Sequence, residues 1–280
     1  MSVSTIVKKQ EAVQQHWINI YESRQTNKIL TGILSAVEQH GDSLCGVVFY
    51  DEIKILIPKP VINLLPSTDD EEENNRRDRM MYAIMGAKID FVVTEIDREN
   101  SLVVASRAKA MEIRQKELPK LKENQKISCR IMAVGAKIAI AEAYGVEVKL
   151  VAKDVSWGYI TDLRDCLSAG DELDAIVSNI DIENRTFKLS IRDTIPNPYE
   201  NVDKLYIQNC EYLATVSLIR EGGVFVRLKE GVDAMCPHPG WTNLKLNVGD
   251  QVYVRIRSID ASKKRIKAII LRLIKRAQSI

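Results

Sequence analysis

The sequence predicts an all-β chain of three tandem five-stranded barrels, with an N-terminal helix in front and helical spacers between. Three observations predict it. A Gly and an Asp eleven positions apart recur three times, each Asp leads a turn between two strand patterns, and the copies are spaced by 84 and 79 residues. A period of ~80 is too long for a solenoid unit and right for a small autonomous domain.

The copies align without gaps. They run Gly86-Ala-Lys-Ile-Asp-Phe-Val-Val-Thr-Glu-Ile-Asp97, Gly170-Asp-Glu-Leu-Asp-Ala-Ile-Val-Ser-Asn-Ile-Asp181 and Gly249-Asp-Gln-Val-Tyr-Val-Arg-Ile-Arg-Ser-Ile-Asp260. Each is followed by a polar turn and a second strand: Leu102-Val-Val-Ala, Thr186-Phe-Lys-Leu-Ser and Arg265-Ile-Lys-Ala-Ile. Alternating apolar residues on both sides of a turn signal describe a hairpin. Further short strands broken by Gly turns lie upstream of each. About five strands in ~75 residues is the count of a small Greek-key barrel of the OB kind.

This gives repeats over 27–107, 126–192 and 209–280. Ahead of them, residues 1–26 are expected to form a helix, whose stripe of Val13, Trp17, Ile20 and Tyr21 faces the first barrel. Residues 108–125 are charged and rich in helix formers, with Pro119 near the end, and read as a helical spacer. Residues 193–208 hold Pro196, Pro198 and Tyr199, a stiff linker followed by a short helical stretch. Within the first repeat, residues 66–80 are a charged insertion, expected to be a solvated, mobile loop.

Composition narrows the function. Forty basic and 38 acidic residues leave a formal charge of +2, which excludes both a uniformly basic protein and an acidic disordered chain. No apolar run approaches the ~18 residues of a spanning helix, and the polar start is not a secretory signal, so a cytoplasmic protein without a membrane partner is expected. Cys45, Cys129, Cys166, Cys210 and Cys236 are scattered without a close pair, which gives no disulfide framework. No metal or other cofactor is expected, since Cys236 and His238 alone do not make a site. His16, His40 and His238 are isolated and there is no Gly-rich phosphate loop, so no enzymatic activity is expected.

The overall balance hides an uneven distribution. Residues 1–200 carry 26 basic and 31 acidic side chains, a balance of −5, whereas residues 201–280 carry 14 and 7, a balance of +7. A basic last quarter points to a polyanionic partner.

Several motifs then converge. Asp154-Val-Ser-Trp-Gly158, the closing Leu189-Ser190, the linker Pro196-Asn-Pro-Tyr-Glu200 and the three Gly-to-Asp hairpins together resemble the bacterial ribosomal protein S1 family, built of tandem S1-type OB-fold repeats. The similarity covers roughly residues 10–275 and describes a short, three-repeat member. It implies single-stranded RNA or mRNA and the small ribosomal subunit as partners, in translation or mRNA handling; a monomer is expected.

Stacking platforms and cations on one sheet face are what single-stranded RNA requires. In Val224-Phe-Val-Arg-Leu228 and Val252-Tyr-Val-Arg-Ile-Arg257, alternation sends the aliphatic residues inward. Phe225, Arg227, Tyr253, Arg255 and Arg257 then project outward, and Lys263, Lys264 and Arg265 fill the next turn. The resemblance carries over Phe225 as the second family aromatic and Lys264 or Arg265 as the basic residue after Asp260. The first aromatic position is Gly222 here, and the family His falls on Pro237, with His238 one residue later.

The second repeat has Lys137 in the place of Phe225, Val134 for the other aromatic and Val151 for the His, leaving Arg185, Lys188 and Arg192 as phosphate contacts. Its Trp157 reads as a barrel-closing core residue. In the first repeat, Phe49 and Tyr50 are not assigned to the binding face, and the repeat reads as a docking or packing module. The leading expectation is a noncatalytic RNA-binding protein whose third repeat makes the main contact. The alternative is a protein-interaction adaptor that docks on the ribosome or another RNA machine through the first two repeats.

Overall fold

The computed structural model describes residues 3–41, 43–50, 53–62, 71–100, 102–229, 231–240, 245–261 and 263–277, with side chains from residue 14 onward except at 73 and 74. The chain divides into two compact units: 1–151 with 162–190, and 152–161 with 191–280.

In the first unit, α1 (Val3–Thr26) precedes a closed barrel of β1 (Leu30–His40), β2 (Ser43–Tyr50), β3 (Ile53–Pro58), β4 (Lys88–Asp97) and β5 (Leu102–Ser106). Helix α1 stops at Asn27, whose φ of 57° is a left-handed conformation that ends helices. Ile20 is fully buried in the barrel core and Trp17 packs against it. Tyr21 stacks on Trp17 with centroids 6.1 Å apart, and Val13 lies outside the described side chains. Ser23 fastens the helix to the barrel: its hydroxyl donates to the carbonyl of Lys28 and accepts from the amide of Val93.

Helices α2 (Lys59–Ile62) and α3 (Glu71–Ala83) cover one side of this barrel. The insertion is therefore a helix from residue 71 on, not a loop, while residues 66–70 fall outside the described residues. Two properties explain the difference. Residues 71–83 contain no Gly or Pro, and Arg77 and Met81, spaced four apart, are buried on one face with Ile84 beyond them.

Helix α4 (Arg107–Gln115), capped by the Ser106 hydroxyl, leads into a five-stranded sheet. Its strands β6 (Lys126–Val134), β7 (Ile138–Ala143), β8 (Val146–Val151), β9 (Glu172–Asp181) and β10 (Thr186–Ser190) follow the order β10-β9-β6-β7-β8. The two barrels beside it in sequence close through a parallel pair; no β8–β10 pairing closes this sheet among the described residues. Met132, Ala133 and Ile140 of this second sheet join the hydrophobic cluster of the first barrel, so the two share one core.

The second unit holds α5 (Ala152–Val155), α6 (Val202–Leu205) and a closed barrel of β11 (Glu211–Arg220), β12 (Gly223–Lys229), β13 (Val232–Cys236), β14 (Gln251–Asp260) and β15 (Arg265–Lys275). Its core is the inward row of Val224, Val226, Val252, Val254 and Ile256.

The repeated Gly and Asp have the same job each time. Gly86, Gly170 and Gly249 have φ of 87°, 94° and 90°, where a side chain is strained. Their amides donate to the carbonyls of Leu34, Ile131 and Val216 at 2.9, 2.8 and 2.8 Å. Eleven residues on, Asp97, Asp181 and Asp260 each accept the amide of the third following residue, at 3.1, 3.0 and 3.0 Å, and so fold the hairpin turn.

Candidate nucleic-acid interface

These shared anchors fix which residues are equivalent on the outer faces. A bulge follows Leu34, Ile131 and Val216 in each first strand. Just past it, Ala36 pairs with Val47, Ala133 with Ile140 and Leu218 with Phe225. The next strand adds Leu56, Lys149 and Met235. The counterpart of Phe225 in the second repeat is thus Ile140, not Lys137, since each stands nine residues past the residue that precedes the bulge. Val47 is fully buried and Ile140 packs into the shared core. Only the third repeat shows an aromatic at this position.

That aromatic lines a cleft of 860 Å³ within the second unit. The third barrel contributes a row of Leu218, Phe225, Met235 and Lys267, neighbours across β11, β12, β13 and β15. Facing this row is the segment after α5, which brings Trp157, Gly158 and Tyr159. Among the described residues of the lining, Lys153, Arg192, Arg220, Lys264, Arg265 and Lys267 supply six cations, against Asp233 as the one acid.

The segment is held by the barrel. Arg227 donates through Nε to Asp233 Oδ1 at 3.1 Å and through a terminal nitrogen to the carbonyl of Tyr159 at 3.0 Å. Asp233 Oδ2 accepts the amide of Tyr159 at 3.1 Å. Gly158 permits this approach, since a Cβ there would stand 3.1 Å from the Arg227 guanidinium. Beneath, the buried Tyr199 hydroxyl accepts the amide of Asp233 at 3.2 Å, and burial pushes its phenol up, so it stays neutral.

Trp157 is a half-buried wall of the cleft rather than a core residue closing the second sheet. Its indole donates to the carbonyl of Ile195 at 3.2 Å. The ring carries the guanidinium of Arg192 at 4.3 Å and the ammonium of Lys264 at 4.1 Å from its centroid. Tyr159 is 41% exposed, with Arg220 5.3 Å from its ring centroid and bonded to its hydroxyl at 2.7 Å. Cations beside exposed aromatic faces can take up phosphates while bases stack on the rings.

The expected residues separate into groups. Phe225, Lys264 and Arg265 line the cleft, whereas Arg227 is engaged in positioning the 157–159 segment. His238 Nε2 donates to the carbonyl of Arg220 at 2.7 Å, at the end of β11. Tyr253 lies away from the Phe225 row, beside Leu213 and Arg272, and Arg272 sits 4.9 Å from its ring centroid. Arg255 pairs with Glu211 at 2.7 Å, and Arg257 is exposed. Arg185 belongs to the first unit, where it donates to Gln115 at 3.0 Å. The Cys236 thiol is pushed up to about 12 by burial, so it stays protonated.

Tyr159, Arg220 and Lys267 are additions from the structure. Outward alternation in Arg265-Ile-Lys267 carried the signal for Lys267. Tyr159 had none, because it lies within the second repeat in sequence, between β8 and β9, and meets the third only after folding.

Residues 208–270 match the family described as S1 RNA binding domain. The chain is 29% identical over 192 residues to small ribosomal subunit protein bS1 of Coxiella burnetii, covering 64% of this chain and 35% of that protein. With the bS1 protein of Neisseria meningitidis it shares 24% identity over 89% of its length and 44% of the relative. A Clostridium acetobutylicum protein named 4-hydroxy-3-methylbut-2-enyl diphosphate reductase is 26% identical over 79% of this chain and 35% of its own. The chain thus spans less than half the length of these curated relatives. It resembles the bacterial ribosomal S1 proteins, and its third barrel carries the match to the S1 RNA binding domain family.

Proposed function

We propose that the chain is a noncatalytic, cytoplasmic protein that binds single-stranded RNA through the cleft of its second unit and acts as a monomer in translation or mRNA handling at the small ribosomal subunit. One observation carries the reading: Trp157, Tyr159 and Phe225 share a cleft with six cations and one acid that Arg227 already neutralises. Aromatic faces are worth ~1–3 kcal/mol per stacked base, and the cations attract phosphate without regard to sequence. Tyr253, Arg255 and Arg257 extend the basic surface along β14, and the S1 match over 208–270 supports the same assignment.

The test is fluorescence anisotropy of the whole chain with a labelled single-stranded RNA across a salt series. Steep weakening with salt is expected, with roughly tenfold weaker binding after Phe225→Ala or Trp157→Ala. Salt-independent or unaltered binding would remove the cleft from the function.

A second reading, an adaptor that docks through the first unit, draws on the outer face of the first barrel. Ile33, Tyr82 and Met85 are exposed there, whereas Val47 and Leu56 at the RNA-facing positions are buried. It predicts that cleft variants keep full ribosome association.

A further inference from the structure

Trp157 and Ser156 line a second groove as well, also within the second unit. It measures 450 Å³ and is walled by Ile195, Pro196, Pro198 and Leu205. Ile195 and Leu205 are 56% and 50% exposed, an uncovered apolar surface contiguous with the cleft. Trp157 is fixed as the divider: its indole bonds the Ile195 carbonyl, and Gly231 lets it sit close, since a Cβ there would stand 3.1 Å from Trp157 Cβ.

We propose that this groove is a second nucleobase subsite, which takes the next base of the same RNA strand once the strand passes Trp157. The inference rests on the reading of the cleft as an RNA site. The occupant follows from the chemistry of the walls. Proline rings, Leu205 and the indole offer apolar contact to a base, with no acid among the described residues of the lining. Lys229 stands at the groove as the cation for the linking phosphate. Asn201 is exposed, makes no capping bond to its own helix, and offers both a donor and an acceptor to a base edge. Continuity through Trp157 makes the groove an extension of the cleft rather than a separate site.

Length dependence separates the two subsites. The full-length chain is titrated with a trinucleotide and an octanucleotide of single-stranded RNA, in the natural form and as Leu205→Glu, Lys229→Glu and Phe225→Ala. Leu205 and Lys229 are exposed, so both substitutions leave the fold intact, which circular dichroism verifies. Leu205→Glu and Lys229→Glu are expected to weaken octanucleotide binding roughly tenfold and leave the trinucleotide unchanged, whereas Phe225→Ala weakens both. Octanucleotide affinity unchanged in both groove variants, with Phe225→Ala still weakening it, would overturn the second subsite and spare the cleft. Insensitivity of both oligonucleotides to Phe225→Ala would overturn the cleft itself, and the groove proposal with it.

Discussion

Arg227 and Asp233 face each other across the β12–β13 hairpin at 3.1 Å, and together they grip both the carbonyl and the amide of Tyr159. One ion pair therefore positions half of the cleft. Arg227→Lys keeps the charge but loses the planar fork that reaches Asp233 and the Tyr159 carbonyl together. The pair is partly exposed, so its loss should cost only about 1 kcal/mol of stability. Hydrogen exchange is expected to show the Tyr159 amide losing protection while β12 keeps its own. RNA affinity should fall by a factor of about five, in proportion to that ~1 kcal/mol of lost positioning.

Salt dependence distinguishes positioning from contact. A side chain that neutralises a phosphate releases counterions, and for single strands each such contact adds ~0.7 to the slope of log affinity against log salt. Lys267→Ala and Arg265→Ala should each lower the slope by about that amount, as both are exposed at the cleft. Arg227→Ala should weaken binding with the slope unchanged, because its charge is already matched by Asp233. An equal drop in slope for Arg227→Ala would make it a phosphate ligand.

The inward and outward faces of the third barrel were legible in the sequence because alternation is a local property. Val224 and Val226 are buried while Phe225 and Arg227 lie on the other face. The three hairpins were legible for the same reason, through a Gly that needs positive φ and an Asp that folds its own turn. The bulge was not. It marks the same point in all three first strands, and only counting from it puts Ile140, not Lys137, in the place of Phe225. Nor was the composite cleft legible. The segment around Trp157 follows β8, and its attachment to Asp233 is a contact between residues 74 positions apart. The charged run at 71–80 misled because its one buried face, Arg77 and Met81, is too narrow for periodicity to stand out.

The first unit depends on a buried charge. Arg107, on α4, is fully enclosed and bonds Glu142 of β7, Glu147 of β8 at 2.8 Å and the carbonyl of Ile62 at 2.9 Å. Glu142 and Glu147 are cross-strand partners, so the guanidinium ties the second sheet to the helix behind the first barrel. Removing Glu142 takes away the more deeply buried partner and leaves Arg107 paired with Glu147 alone. Glu142→Ala should therefore destabilise the unit by ~1–3 kcal/mol, the cost of one lost buried charged hydrogen bond. Pairing Arg107→Met with Glu142→Leu should cost much less than the two changes summed, read as urea midpoints of the full chain.

Asp90 is the buried source of acid sensitivity in the first unit, beside Asp162 and the exposed Asp97 and Asp181, which hydrogen bonds also lower. The carboxylate is buried, which by itself raises its pKa. Hydrogen bonds from Arg130 and Thr31 and the charges of Arg130 and Arg114 outweigh that burial and hold it below the usual aspartate range. The contacts are short: Thr31 at 2.6 Å, Arg130 and Arg114 both at 2.9 Å. A carboxyl with a depressed folded-state pKa contributes stability above its unfolded value, where both states are ionised and only the folded one has partners. Below that value the unfolded state takes up a proton first, so the contribution drains as pH falls through the folded pKa. The chain should thus keep full stability from neutrality down to about pH 4, the ordinary aspartate value, and lose it progressively below. Asp90→Asn should lower stability at pH 7 and flatten this acid limb, measured as urea midpoints from pH 7 to pH 2.5. Asp250 in the other unit shifts in the same direction, through amides of Ala277 and Asn247 and the charge of Arg276, despite its burial. A shallower acid limb should therefore survive in the variant; an undiminished one would remove Asp90 as its main source.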